Sequence, residues 1–321
     1  MRSSLLSCIM AVCLIGPAAA RAESVDLRPK FAADRVTHYR NTAKSKESVN
    51  MAGQAMEGGT DIDMGIRMKV LKVLPDGGAE VELTYMYVAF DGSTMGMAMK
   101  HDSRKPKEEN EPSMISGIGG IVGVPLVLTV SPGGQVSSIV GLDKLYAAAA
   151  GAMFVQQLIS EETLKDLPMF ATRNAPNPVE VGGKWEDQSE IEVPQLGGSI
   201  VSKVNYALKG VSADENTADI AVESTLSLTH QGGAVPPGMI KMDQGKSTGR
   251  MTWDLATGEL LKSHGETDTV ISFSTAGGGG EGEGGGKMTQ KLIETTERVS
   301  LKDLNLPSQG AAPAERPDKK E

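Results

Sequence analysis

A two-residue alternation of apolar and polar side chains constrains this chain more than any other feature. Ala79, Val81, Leu83, Tyr85 and Tyr87 alternate with Glu80, Glu82 and Thr84. Apolar residues at every second position are buried together only by an extended strand with one face on a core. The pattern returns at Ile200, Val204, Tyr206 and Leu208 against Lys203, Asn205 and Lys209. It returns again at Ala218, Ile220, Val222, Leu226 and Leu228 against Asp219, Glu223, Thr225 and Ser227. One dry face and one wet face belong to antiparallel sheet. Pro75-Asp76-Gly77-Gly78 and Ser131-Pro132-Gly133-Gly134 supply the tight turns between such strands.

One segment departs from this rhythm. After the Gly141-Leu142-Asp143 turn, residues from about Lys144 to Leu158 are rich in Ala and Leu, and Leu145, Ala149, Ala152 and Met153 share a helical face. Ser160 is placed to cap a second short helix, with Glu161 and Glu162 in its first turn and Pro168 beyond its end. Asn174, Pro176, Asn177 and Pro178 mark a linker. Residues 102–112 read as a solvated charged loop and 307–321 as a disordered tail. Thr-rich strand candidates at 266–275 and 288–299 flank a glycine tract at 276–287, which reads as a hairpin tip. A phosphate cradle is disfavoured there: no Lys-Ser/Thr follows, and two Glu occupy the place of an anion.

The stretches before and after the helices echo each other. The first enters with His38-Tyr39, pairs strands across 70–81, and turns at Pro132-Gly133-Gly134. The second enters with Gly183-Lys184-Trp185, pairs strands across 206–220, and turns at Thr257-Gly258. The expected fold is α+β dominated by antiparallel β: two similar meander halves, about 25–140 and 180–300, forming one curved sheet or open barrel. A helical segment at 142–170 would join the halves, its helices at about 142–167 packed on the sheet. Residues 23–306 would then form one β-rich domain, with two tandem domains as the alternative.

The entry strand, VLPDGGAEVEL, LTVSPGGQVSSIVG, VGGKW and GRMTWDLATGELLKS occur in this order. In this the chain resembles a family of exported bacterial proteins known only as a domain of unknown function, over roughly residues 25–300. The resemblance implies fold and export and carries no activity. More distantly, a long antiparallel sheet with helices laid on it is similar to the periplasmic lipoprotein-carrier architecture, a likeness of fold only.

Residues 1–22 read as a cleaved signal peptide: Arg2, an apolar run from Leu5 to Ile15, the Gly16-Pro17 break, and small residues at Ala20 and Ala22. The apolar run is shorter than the roughly 20 residues that a membrane-spanning helix needs. Both cysteines, Cys8 and Cys13, lie inside it, so residues 23–321 can form neither a disulfide nor a zinc–thiolate site. Export implies a periplasmic or extracellular address. The formal charge of −9 becomes −11 without these residues, 30 basic against 41 acidic. That balance argues against a nucleic-acid partner.

Aromatics make up only 4% of the chain, so a core must come from aliphatic residues and the 17 methionines. His38, His101, His230 and His264 have no ligand spacing, and no Gly-x-Ser-x-Gly elbow occurs. No catalytic constellation and no cofactor is implied. Met95, Met97, Met99 and His101 share one face of a strand, a set suited to Cu(I), though methionines equally form a plastic apolar surface. The inward aliphatic positions suggest a deformable apolar cavity, with Val81, Leu83, Tyr85, Ile220, Val222 and Leu226 as ligand-binding candidates. The expected function is a non-enzymatic, exported binding or carrier protein for an apolar or lipid-like ligand. A structural or interaction module of the cell envelope is the second reading and a Cu(I)-binding protein the third. The exported chain is expected to begin at Glu23, which intact-mass measurement on the secreted product checks against the alternative cut after Ala20.

Overall fold

The computed structural model describes residues 24–51, 53–94, 97–105, 117–149, 155, 159–193, 198–230, 239–274 and 285–307. The expected signal peptide, most of the 102–112 loop, nearly all of the glycine tract and the tail lie outside them. In the first part of the chain the strands are β1 (Ser24–Val25), β2 (Val36–Met51), β3 (Gln54–Val73), β4 (Ala79–Thr94), β5 (Met97–Asp102), β6 (Pro125–Val130) and β7 (Val136–Val140). Two helices follow, α1 (Leu142–Ala148) and α2 (Glu161–Lys165). The later strands are β8 (Val179–Glu180), β9 (Lys184–Val193), β10 (Gly198–Ser212), β11 (Thr217–His230), β12 (Ile240–Asp254), β13 (Glu259–Phe273) and β14 (Gly286–Val299).

All but β1 and β8, which pair with each other, join one 12-stranded antiparallel sheet. Its order is β7-β6-β4-β3-β2-β14-β13-β12-β11-β10-β9, with β5 beside the far half of β4. The sheet is open, and β9 forms one edge, carrying exposed Glu186, Glu190 and Glu192. This is the expected class: dominant antiparallel β in one curved sheet with a small helical cover. The two ends of the chain meet at its centre, where β2 pairs with β14 from His38↔Val299 to Met51↔Gly286.

Strands of 14 to 20 residues such as β2, β3, β11 and β14 are far longer than the usual five or six and cannot stay flat. Bulges add local twist, among them Gly65/Ile66, Leu208/Gly210 and Thr252/Trp253. Gly249 permits close approach on the inner face: a Cβ there would lie 2.6 Å from the carbonyl oxygen of His264.

The bulge opposite Gly65/Ile66 corrects one sequence expectation. Tyr85 stays on the inner face, but Tyr87 pairs with Gly65 on the outer face instead of continuing the inward row. Its ring lies over Gly65, where a Cβ would overlap it. Tyr87 donates a hydrogen bond to Asp63 at 2.7 Å, and the Arg104 guanidinium sits 4.1 Å from the ring centre. Burial and the Asp63 carboxylate both raise the phenol pKa, so this group stays neutral. Beyond the bulge Val88 and Phe90 take over the inward positions.

The helical segment starts at Leu142, at the expected bound of about 142 and two residues before the Ala- and Leu-rich run. Gly141 adopts a left-handed φ of 106°, which turns the chain directly into the helix. The remainder of the expected helix falls mostly on residues 150–154 and 156–158, outside the described residues. In α2 the capping is reciprocal: Ser160 Oγ accepts from Thr163 N–H at 3.2 Å, and Thr163 Oγ1 accepts from Ser160 N–H at 2.8 Å.

The solid core occupies one end of the curled sheet. There Leu83, Leu126, Leu128 and Ile220 meet Trp253 and Leu145, all essentially inaccessible to water. A strap over residues 26–35 closes this end, held by the Lys30 N–H donating to Thr257 O at 3.1 Å and by fully buried Leu27. Beneath it Arg35 pairs with Glu259 at 2.9 Å, and Arg298 pairs with Asp254 at 2.9 Å and Glu259 at 3.4 Å. Gly258 sits where the strap crosses, at a φ of 64°, and a Cβ there would overlap the carbonyl of Arg28. Gly258→Ala is therefore expected to destabilise the chain by more than about 1 kcal/mol, read as a lower denaturation midpoint in urea.

Candidate functional site

Above the solid core the curl of the sheet leaves a cavity of about 560 Å³. This lies within the range of roughly 300–1,000 Å³ typical of small-molecule sites. The sheet supplies its floor, and the cover supplies Ile118, Ile121, Val155, Ile159, Leu164 and Leu167 from the opposite side. Register sets the floor in rows. One row runs Phe90, Ile62, Ala43, Glu294, Gly265 and Gly249 across β4, β3, β2, β14, β13 and β12. Val222 of β11 and Tyr206 of β10 continue it. The row beside it carries Val88, Met64, Asn41, Thr296, Ser263 and Met251. The walls are mostly apolar, with Thr163 and Asp166 among them, and on the floor the described residues place hydroxyls and the Glu294 carboxylate.

The six ligand-binding candidates divide by height along their strands. Tyr85, Val222 and Leu226 line the cavity. Val81 lines a separate crevice of about 30 Å³ under the strap, too small for more than a water molecule or two. Leu83 and Ile220 are fully buried in the solid core and line neither space. Their inward direction is as expected; the helical cover decides whether an inward residue meets a cavity or a packed neighbour.

Of the methionine stripe, Met95 and the side chain of Met97 lie outside the described residues. Met99 is buried against Phe90 and Ile62. His101 is half-buried, with its ring against Gly119, where a Cβ would come within 3.2 Å of Cε1. Among the described residues no group of three or more His, Cys, Asp or Glu converges as metal ligands.

Tyr206 closes one side of the cavity. Its ring stacks on Trp185 with centroids 5.3 Å apart, and burial pushes its phenol up to about 12. Glu294 is the residue that alternation alone does not single out. It continues the inward parity of Met288 and Leu292 on β14, so a charged residue at an inward position was its available signal. Glu294 keeps surface open to the cavity, yet the surrounding walls displace bulk water, and this desolvation raises its carboxyl pKa. Arg250 and His264 border the cavity through their strands. Both alternate with the inward glycines, so register puts them on the outer face, where His264 Nδ1 lies 3.1 Å from Thr295 Oγ1.

Residues 76–260 match DUF6263, a family of unknown function. The chain belongs to that family. The match runs from β4 to β12 with the whole helical cover, leaving β2, β3 and β14 at the centre of the sheet outside it, and it bears out the resemblance carried by the strand-turn-strand motifs. No curated protein matches the chain. Among solved structures, lipovitellin, described for its lipid–protein interactions, is similar at 12% identity and a TM-score of 0.47 over 84% of this chain. The chain spans only 25% of the lipovitellin chain. DynF of the dynemicin biosynthesis pathway of Micromonospora chersina matches at 8% identity, TM-score 0.21, over 88% of this chain and 89% of its own. OccK2 of Pseudomonas aeruginosa in complex with glucuronate matches at 6% identity, TM-score 0.19, over 84% of this chain and 100% of its own.

The raised pKa of Glu294 fixes the sign of a pH effect. The folded chain holds this proton more tightly than the unfolded chain, so stability falls as pH rises from the ordinary carboxylate range through the folded pKa. Glu294→Gln removes that loss. Its melting temperature is expected to exceed the wild-type value at pH 7, with the gap closing as the pH is lowered towards 4, in paired calorimetric scans.

Proposed function

We propose that this chain is a non-enzymatic, exported carrier that holds an apolar or lipid-like ligand in the cavity between sheet and helical cover. The cavity carries this reading. A carrier needs a continuous apolar space of some hundreds of Å³, whereas a structural module of the cell envelope can be packed solid. The space here is about 560 Å³ and lies between aliphatic walls on both sides. Two features suit a flexible apolar guest. Met64 and Met251 are unbranched, polarisable side chains that re-pack at little cost. Gly265 and Gly249 lie side by side on the floor and leave it bare of side chains. Export is the part of the proposal that rests on sequence, on the signal-like residues 1–22 and on the absence of cysteine beyond them.

Gly265 offers a direct test. A Cβ there would meet nothing nearer than 3.9 Å, so a larger side chain enters the cavity without displacing backbone. Gly265→Leu is expected to weaken binding of a fluorescent fatty probe by about tenfold or more while leaving the melting temperature within a few degrees of wild type. A wild-type protein that binds no such probe, and carries no lipid when isolated from its own host, would sink the carrier in favour of the envelope module.

A further inference from the structure

We infer that Glu294 is the polar anchor of the cavity and selects an amphiphile whose head group is a primary ammonium on an apolar tail. The inference rests on the carrier reading and adds the chemistry of the guest.

Glu294 lies on the floor with Ala43 on one side and Gly265 on the other, so neither neighbouring strand covers its carboxylate with a side chain. Beyond Gly265 comes Gly249, which widens the bare ground beside it. Among the described residues, none forms an ion pair or side-chain hydrogen bond with it. The groups facing it can be named element by element. From β2 come Asn41, Ala43 and Ser45; from β13, Ser263, Gly265 and Thr267; from β14 itself, Leu292 and Thr296. None of these is charged.

Among the described residues, the helical cover contributes one titratable group to the lining, Asp166, and it is already held by Arg173 at 2.7 Å. The nearest inward cation on β14 is Arg298, roughly 13 Å further along the strand at about 3.3 Å per residue. It is committed to Asp254 and Glu259. The Glu294 side chain is exposed to the cavity space, and apolar walls around that space make an ionised carboxylate costly without a partner. Among the described residues, Arg173 and Arg298 are engaged elsewhere and Arg250 points to the outer face by register, and the space beside the carboxylate is open.

A ligand ammonium fills that vacancy with charge-assisted hydrogen bonds, while its tail lies against Ile62, Val222 and the aliphatic cover. An ionised fatty acid brings a second negative charge to the same place and is disfavoured. Ser263, Thr267 and Thr296 remain as hydroxyl acceptors for the other ammonium protons.

The test is displacement of a neutral fluorescent probe from the full mature chain by dodecylamine, dodecanol and dodecanoic acid. In wild type at pH 7.5 the amine is expected to displace at about one-tenth the concentration of the alcohol, and the acid to be weakest. Glu294→Gln should bring amine and alcohol together, each displacement being read against that variant's own affinity for the probe. In wild type, lowering the pH through the titration of Glu294 should shrink the amine-over-alcohol preference as the carboxylate is neutralised. An amine preference unchanged in Glu294→Gln and flat with pH overturns the anchor, as does a wild-type preference for the acid. Probe binding with no discrimination among head groups overturns the anchor alone. Failure of every amphiphile, probe included, overturns the carrier reading with it.

Discussion

The pairing of β2 with β14 holds this architecture together. Strands near the two ends of the chain lie side by side over 14 consecutive residue pairs. Every row of the cavity floor crosses that joint, from Ile62 and Ala43 on one side to Glu294 and Gly265 on the other. Without it the chain would hold two open meanders, each with an apolar face and neither able to enclose a volume. The joint is also the contact most separated in sequence, so its loop-closure cost must be met before its hydrogen bonds form. The half-buried ion pairs of Arg298 with Asp254 and Glu259 lie at its lower end and tie β14 to the β12–β13 turn.

A packed plug and an open pocket thus share one inner surface. The division comes from the cover and the strap, since the strands below and above it are built alike. Where Leu145, Met169 and Phe170 descend onto the sheet, aliphatic side chains interdigitate to full burial. Where the cover rides higher on Ile118, Val155 and Ile159, the same sheet face is left without a partner.

Much of the sheet was legible in the sequence because period-two alternation is a local signal that survives in a curled sheet. Ala218, Ile220 and Val222 face inward as their pattern requires, and the 266–275 and 288–299 candidates are paired strands. Tyr87 escaped because a bulge changes parity within a single residue, and nothing in Tyr85-Met86-Tyr87 marks it. Of the candidate site, inward direction was legible and height along the strand was not. Leu83 and Val222 obey the same rule and differ only in what the cover, contributed by distant residues, places above them. Glu294 was hidden differently: in a Thr-rich strand that reads as polar throughout, one inward carboxylate looks like part of a wet face.

The open sheet leaves β9 with one side of its backbone unpaired, and such an edge is a template for another chain. Its outward residues Glu186, Glu190 and Glu192 change what that template can accept. A second copy added antiparallel along β9 in the register centred on Ser189 would set Glu186 against Glu192, and like charges directly opposite oppose pairing. The edge is thus guarded by ionisation rather than by a covering element.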